Sequence, residues 1–284
     1  MPNLELVRKQ NLSSFRRIAI GTWKTAYDPS VYGAMKLDMD EALRYCDEFR
    51  EKTGRRLTIT HMIAKAIGGV LEAMPDANAI IRFNRIYLRK DIAVFFQVAL
   101  TDESSGEMDL SGATVHALET KTLLEVVDEF QATVDKVRAQ KDEALEQTRS
   151  SFKRIPFFLL NAVLNTIGLL AYSFNLDLRW AGIPQDPFGS VMVTNVGSLG
   201  LEEAYVPLVP YSRVPLLLAL GAVNREPAVG ENDAIVIKRT MKVFATFDHR
   251  VLDGSHAATM SKTLRAWFHD PYTYFGEIPT DKAD

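Results

Sequence analysis

Residues 246–254 read TFDHRVLDG and form the most informative stretch of this 284-residue sequence. The apolar run 235–247 predicts a strand, and a helical pattern begins directly after the stretch. A histidine at a junction between a strand and a helix is held by rigid backbone while it still faces a cleft. Asp253 follows His249 by four residues, and Gly254 is expected to finish a tight turn without steric cost. The stretch therefore identifies His249 as a candidate reactive residue.

The rest of the chain interleaves helical and strand patterns, with no internal repeat. The predicted strands are 31–39, 79–88, 92–100, 189–194, 216–223 and 235–247, and the predicted helices are 40–52, 60–74, 119–140 and 255–268. The acidic stretch 101–109, TDESSGEMD, is expected to be a loop. Because the late strands lack crossover helices between them, the pattern favours an α+β domain with a mixed, largely antiparallel sheet.

Composition indicates a globular protein with a sizeable core, since 47% of the residues are apolar and 24% are charged. A net charge of -3 gives no reason to expect nucleic acid as a partner. The first residues contain no apolar stretch of signal-peptide length. The single cysteine, Cys46, falls on the apolar side of a predicted helix and suits a reducing compartment. We therefore expect a cytoplasmic protein in which Cys46 fills the core.

The segment 157–174, FFLLNAVLNTIGLLAYSF, raises the question of a membrane. Its 18 residues are fewer than the ~20 that a spanning helix usually needs, and they include polar side chains. Asn161 and Asn165 are four residues apart, so they share one face of the helix. A buried or oligomer-interface helix is the first interpretation, a lid over a substrate channel the second, and contact with a membrane surface the third.

The sequence DHRVLDG, residues 248–254, resembles the signature of the acyltransferase component of 2-oxo acid dehydrogenase complexes, and more distantly that of chloramphenicol acetyltransferase. The distant relative has two adjacent histidines, whereas this chain has Asp248-His249, which favours the first family. The similarity extends to VTNVG at 193–197 followed by Gly200, to the strand at 214–222, to the helix at 60–75 and to FHDP at 268–271. It covers residues 12–142 and 189–275, and it implies a two-layer fold like that of chloramphenicol acetyltransferase.

The resemblance also implies the chemistry, which is transfer of an acyl group between a thioester and a thiol. A free thiol has a pKa near ~8.5 and is a poor nucleophile until a base removes its proton. His249 is the expected base. The hydroxyl of Thr194 is the expected donor to the oxyanion, although by itself Thr194 would be an ordinary strand threonine. Asn195 and Gly197 are expected to shape the turn that follows.

Asp253 has two interpretations. It is the partner that a catalytic histidine would have in a hydrolase triad. In the family, however, the corresponding aspartate pairs with an arginine of the N-terminal helix. Arg16 is the best match for that arginine and Arg17 is the alternative. The other interpretation is that both arginines are solvated or bind a neighbouring helix end.

The family forms trimers in which the histidine of one subunit faces the oxyanion donor of the next. We therefore expect a homotrimer or an assembly of trimers. Other components of 2-oxo acid dehydrogenases are the expected partners. Acyl-CoA is the expected substrate, without an attached lipoyl group and without a metal. We expect one catalytic domain over residues 1–284, with an enlarged insertion at about 143–188 and no lipoyl or subunit-binding domain. The polar sequence after residue 100 replaces the apolar channel sequence of the family.

Two other functions remain open at this point. A non-catalytic trimeric scaffold is favoured by the missing lipoyl domain and the altered channel sequence, while His249, Asp253, Gly254 and Thr194 favour an enzyme. An antibiotic-modifying acetyltransferase is disfavoured by Asp248 in place of a second histidine.

Overall fold

A computed structural model describes residues 2–10, 28–101, 108–138 and 156–280 of the chain. The strands are β1 (Leu6–Arg8), β2 (Ser30–Asp38), β3 (Ala79–Arg82), β4 (Arg85–Arg89), β5 (Val94–Thr101), β6 (Met108–Val115), β7 (Val191–Asn195), β8 (Leu216–Val229) and β9 (Ile235–Asp248). The helices are α1 (Asp40–Thr53), α2 (Ile59–Ala73), α3 (Leu123–Arg138), α4 (Phe157–Gly168), α5 (Gly254–His269) and α6 (Pro271–Tyr274).

The main sheet has six strands in the order β2-β9-β8-β7-β5-β6. The pairs β5–β7 and β7–β8 are parallel, and the other three are antiparallel. A second sheet has the order β1-β4-β3. The expected α+β class with a mixed, largely antiparallel sheet is therefore confirmed.

The two faces of the main sheet pack against different partners because side chains alternate along each strand. One face meets α1, α2 and α5 in the largest apolar cluster, through residues such as Val193, Leu218 and Phe247. The opposite face bears a smaller cluster that includes Met192 and Phe244. Two layers, helices and sheet, thus enclose the main core.

The first two helices follow the sequence pattern. Asp40 is the first residue of α1, and its N–H donates to the Asp38 carboxylate at 3.1 Å. Gly54 ends α1 with a φ of 70°, as its freedom of backbone conformation predicts. In α2, a Cβ added to Gly69 would lie 2.6 Å from the ring of Trp267, so this glycine permits close packing of α2 on α5.

Two sequence-based predictions of strands and loops are wrong. Residues 79–88 do not form one strand, because Phe83 and Asn84, at φ of 47° and 59°, turn the chain between β3 and β4. The predicted loop 101–109 extends too far at both ends, because Thr101 is the last residue of β5 and Met108 is the first residue of β6, which pairs with β5. β6 lies at the edge of the sheet, where polar residues are tolerated.

The apolar segment forms α4 followed by a π-helical turn, Leu169–Ser173. Ala171 and Tyr172 are buried, but the side chain of Phe158 is 82% exposed, so burial within one chain accounts for only part of the segment. Asn165 Nδ2 donates to Asn161 Oδ1 at 2.8 Å, which confirms their common face. Across the described ranges, no helix combines the length and apolar character that crossing a bilayer requires.

Candidate active site

His249 lies in the turn directly after β9, as the sequence predicts. Its backbone N–H donates to the carbonyl of Pro29 at 2.9 Å, which ties the turn to the chain just before β2. The carbonyl of Asp248 accepts from the N–H groups of Val251 and Leu252, both at 2.9 Å. His249 itself is partly exposed, so its ring is fixed by backbone contacts without being sealed inside the protein.

The hydrogen bond of the His249 ring determines its tautomer. Nδ1 lies 2.9 Å from the carbonyl oxygen of Leu252. A carbonyl can only accept, so Nδ1 must hold the proton and donate. In the neutral ring Nε2 is then unprotonated and can accept a proton. The turn thus prepares His249 as a base through Nε2.

Asp248 and Arg250, the residues on either side of His249 in the sequence, form an ion pair. The sequence analysis did not predict this pair, although both residues lie in the motif. Arg250 Nη2 lies 2.6 Å from Asp248 Oδ2, and Arg250 Nε donates to both carboxylate oxygens at 2.9 and 3.1 Å. Such a bidentate contact fixes both side chains in one geometry. It therefore stiffens the backbone that bears His249.

Asp253 caps α5. Its carboxylate accepts from the N–H groups of Ser255 and His256, and its Oδ1 lies 2.8 Å from His256 Nδ1. Burial alone would raise the pKa of Asp253, but the hydrogen bonds from Ser255 and His256 outweigh it and hold the pKa well below the usual range. The pairing with Arg16 or Arg17 lies outside the described residues.

Gly254 does not have the role that the sequence suggested. It is the first residue of α5 and has no positive φ, and a Cβ at this position would meet open space. Asp253 ends the turn by capping the helix, so the conformational freedom of glycine is not required there.

Thr194 and its neighbours lie where β7 ends. Thr194 is partly exposed. Asn195 accepts from the N–H of Ser198 at 3.0 Å and donates to Thr60 Oγ1 at 3.1 Å, so it fixes the 3-10 turn that follows β7. A Cβ added to Gly197 would lie 2.5 Å from the backbone of Gly221, so only glycine fits this close approach of two backbones.

The structure does not bring Thr194 and His249 together within one chain. Thr194 pairs with Ala219 on β8, whereas Leu216 of β8 pairs with Phe247, two residues before His249. Two strand spacings of ~4.8 Å and about five residues at ~3.3 Å each separate the two positions by more than about 15 Å. One thioester carbon cannot contact both side chains of the same protomer.

An open cleft of about 680 Å³ lies beside the turn and is lined by Asp248, Arg250 and Val251, together with Arg213 and residues of α4. Arg213 and α4 were not predicted to meet near the motif. Within the parts of the chain that are described, no three His, Cys, Asp or Glu side chains are grouped so that they could hold a metal ion.

Comparison with known proteins defines the class of this chain. The model of the family "2-oxoacid dehydrogenases acyltransferase (catalytic domain)" matches residues 7–153 and 187–275, and the chain belongs to this family. Residues 154–186, which include α4, lie between the two matched stretches.

Among relatives, the dihydrolipoyllysine-residue acetyltransferase component of the acetoin cleaving system of Bacillus subtilis is 23% identical over 221 residues. The alignment covers 78% of this chain and 44% of that protein, so the chain spans less than half the length of this relative.

Solved structures share the fold. The dihydrolipoamide acetyltransferase of Azotobacter vinelandii, studied for the role of a serine, a histidine and an asparagine in its catalytic mechanism, is 17% identical with a TM-score of 0.63, over 94% of this chain and 93% of that one. The cubic core of a pyruvate dehydrogenase multienzyme complex is 18% identical with a TM-score of 0.63, over the same shares. Chloramphenicol acetyltransferase aligns over 93% of this chain and 100% of its own, at 12% identity and a TM-score of 0.50, so the fold is chloramphenicol acetyltransferase-like.

Proposed function

We propose that this protein transfers acyl groups between a thioester and a thiol, with His249 as the general base. The observation that supports this role most directly is the 2.9 Å contact between His249 Nδ1 and the Leu252 carbonyl. In the neutral ring it leaves Nε2 as the proton acceptor, which a base for a thiol requires. Membership of the acyltransferase family supplies the reaction class.

The reaction proceeds by addition and elimination at the thioester carbon. Nε2 of His249 takes the proton of the attacking thiol while its sulfur forms a bond to the carbonyl carbon. The carbonyl electrons move to oxygen and form an oxyanion. When the carbonyl re-forms, the original carbon–sulfur bond breaks, and the leaving thiolate takes the proton back from Nε2. Atoms and charges balance without any further reactant.

The hydroxyl of Thr194 donates to the oxyanion, and a fixed donor of this kind lowers a barrier by about 3 kcal/mol. Because Thr194 and His249 are far apart in one protomer, the donor comes from a neighbouring copy. A homotrimer with three interfacial sites meets this requirement, and the likeness of the fold to the core of a multienzyme complex supports such an assembly.

The roles of two residues gain support from the Azotobacter enzyme. In that enzyme the histidine and asparagine under study are four positions apart, as His249 and Asp253 are here. Asp253 therefore acts through the turn that it caps and does not exchange protons, which agrees with its lowered pKa. Coenzyme A carries the acyl group, the acceptor thiol belongs to a partner of 2-oxo acid dehydrogenase type, and the reaction takes place in the cytoplasm.

The first test is thiol release from acetyl-CoA and longer acyl-CoAs in the presence of thiol acceptors. His249→Ala is expected to lower kcat by about 10²–10⁴, the usual contribution of a general base. His269→Ala, at the exposed end of α5, is the matched control and is expected to retain wild-type rates. Equal rates for wild type and His249→Ala would reject the proposal and favour the trimeric scaffold.

The second test is complementation between two inactive chains. His249→Ala and Thr194→Ala chains are co-expressed, and the mixed assemblies are assayed. If each site takes its histidine and its threonine from different copies, random mixing restores about a quarter of the wild-type sites. Absence of any recovery in mixed trimers would exclude the interfacial arrangement.

A further inference from the structure

The cleft beside the catalytic turn has two walls of different origin. One wall is the face of α4 that includes Asn161, Leu164 and Asn165, and the other is formed by residues 207–215 and the turn after β9. α4 contacts the short turn Pro210–Ser212 directly. α4 lies outside the residues that match the family model, so this wall of the cleft falls in the unmatched stretch 154–186.

The cleft has the size of a small-molecule site, and part of its lining is apolar. Its volume of about 680 Å³ lies within the ~300–1,000 Å³ that is typical of small-molecule sites. Leu164, Leu208 and Val209 supply apolar surface along it. A hydrocarbon stem would gain free energy by covering these side chains.

Arg213 contributes a cationic side chain to the cleft. In the described part of the chain, no carboxylate lies within ion-pair distance of its guanidinium, whereas the nearby Arg250 is paired with Asp248. Asp28, which also lines the cleft, accepts the N–H of Ser30 at 3.0 Å. Desolvation and the charge of Arg250 lower the pKa of Arg213, as expected for a cation that lacks a neutralising partner. One anionic group would relieve this repulsion.

The two asparagines provide hydrogen-bond donors on the opposite wall. Asn165 Nδ2 donates to Asn161 Oδ1 at 2.8 Å, which orients both amides. Among the described residues, Asn161 Nδ2 donates no hydrogen bond, and both side chains line the cleft. An anion between α4 and Arg213 would therefore meet donors on both sides.

We propose that the cleft binds the far end of an acyl chain that ends in a carboxylate, with Arg213 and Asn161 determining this specificity. The inference rests on the proposed acyl transfer, which places the thioester at His249 beside the cleft. A carboxylate fits better than a diphosphate because a single guanidinium without a partner balances one negative charge. The preferred substrates are thus thioesters of dicarboxylic acids with an apolar stem.

The kinetic test compares adipoyl-CoA with hexanoyl-CoA, which have equal chain lengths and differ in one terminal carboxylate. Wild type is expected to prefer adipoyl-CoA by about tenfold in kcat/KM, the size of one charge-assisted contact. Arg213→Gln should reduce the ratio to about one, and Arg213→Lys should keep part of it. Arg225→Gln, on β8 outside the cleft, is the matched control and should keep the full preference.

A binding test separates this inference from the proposed activity. Saturation-transfer NMR measures binding of hexanoate and of hexanamide, which have the same shape but differ in charge. Wild type and Arg225→Gln should favour hexanoate, and Arg213→Gln should not. If this preference is found while no acyl-CoA reacts, the cleft assignment stands and the proposed function fails. If wild type binds both equally, or Arg213→Gln keeps the preference, the inference is overturned.

Discussion

The family-matched core and the segment 156–186, which lies between the two matched stretches and is called the insertion segment below, use apolar residues in opposite ways. In the core, the rings of Phe96 and Phe244 are only 1% and 2% exposed. In the insertion segment, Phe158 is 82% exposed and Trp180 is 85% exposed. Apolar content is high in both, so content alone does not predict burial. The periodic spacing of apolar residues, which is stronger in α2 than in α4, distinguishes them.

A small apolar cluster and a buried ion pair are among the contacts that attach the insertion segment to the core. A small apolar cluster joins Ala171, Tyr172 and Leu178 to Leu4 and Ile80. At the end of the segment, Asp186 pairs with Arg89 of β4 at 2.6 Å, and their side chains are only 7% and 2% exposed. The segment is thus attached at its C-terminal part while much of α4 faces outward.

The largest expected effect concerns this buried pair. Arg89→Met leaves the carboxylate of Asp186 buried without its partner, which should lower the free energy of unfolding by about 3–5 kcal/mol. Denaturant unfolding measures the change. The double variant Arg89→Met/Asp186→Asn should recover most of it, because asparagine is neutral and tolerates the φ of 41° at this position.

The adjacent residue Lys90 gives a matched control for that experiment. Lys90 pairs with Glu5 at 2.8 Å, but both side chains are more than half exposed. Lys90→Met should therefore cost only about 0–1 kcal/mol. A similarly small loss in Arg89→Met would show that the ion pair does not hold the insertion segment.

A smaller effect is expected in the core as pH falls. His61 is 2% exposed, its Nε2 has no hydrogen-bond partner among the described residues, and burial lowers its pKa to about 4. Between pH 7 and pH 5 the unfolded chain, with a pKa near ~6.5, binds a proton that the folded chain does not. Stability should therefore fall by about 2 kcal/mol from this group.

His61→Gln isolates that contribution. Its loss of stability between pH 7 and pH 5, measured by denaturant unfolding, should be smaller than that of wild type. His269→Gln, an exposed histidine, should lose as much as wild type. Identical pH profiles for His61→Gln and wild type would contradict the lowered pKa.

The smallest effect is expected on the exposed face of the insertion segment. Phe158→Ser and Trp180→Ser should each change the free energy of unfolding by less than about 0.5 kcal/mol, as for other surface substitutions. The measurement is made on dilute protein and repeated at high concentration. A loss above about 1 kcal/mol that appears only at high concentration would show that a second copy covers this face.

Most of the core could be predicted from the sequence, because its elements follow strict periodicities. The amino-acid sequence shows the alternation along β2, the helical spacing of apolar residues in α2 and the long apolar strands β8 and β9. The turn at Phe83 and Asn84 could not be predicted, since a bulky aromatic residue rarely adopts positive φ. β6 was missed because an edge strand tolerates polar residues.

The sequence identified individual residues of the candidate site but not their arrangement in space. The motif located His249 and Asp253, but the donor to the Leu252 carbonyl depends on ring orientation, which no spacing reveals. Arg213 lies in an irregular stretch between Ser212 and Val214, where the sequence shows no periodic pattern of a helix or strand. Its position opposite Asn161 depends on how α4 folds back onto the core.

The partner of His249 Nδ1 is part of the main chain, and this affects how the site can evolve. Residue 252 can change its side chain without removing the oxygen that accepts the proton. No substitution at position 252 deletes this acceptor, in contrast to a triad that depends on a carboxylate side chain. A variant that keeps this path of the backbone therefore also keeps Nδ1 as the protonated nitrogen of the neutral ring.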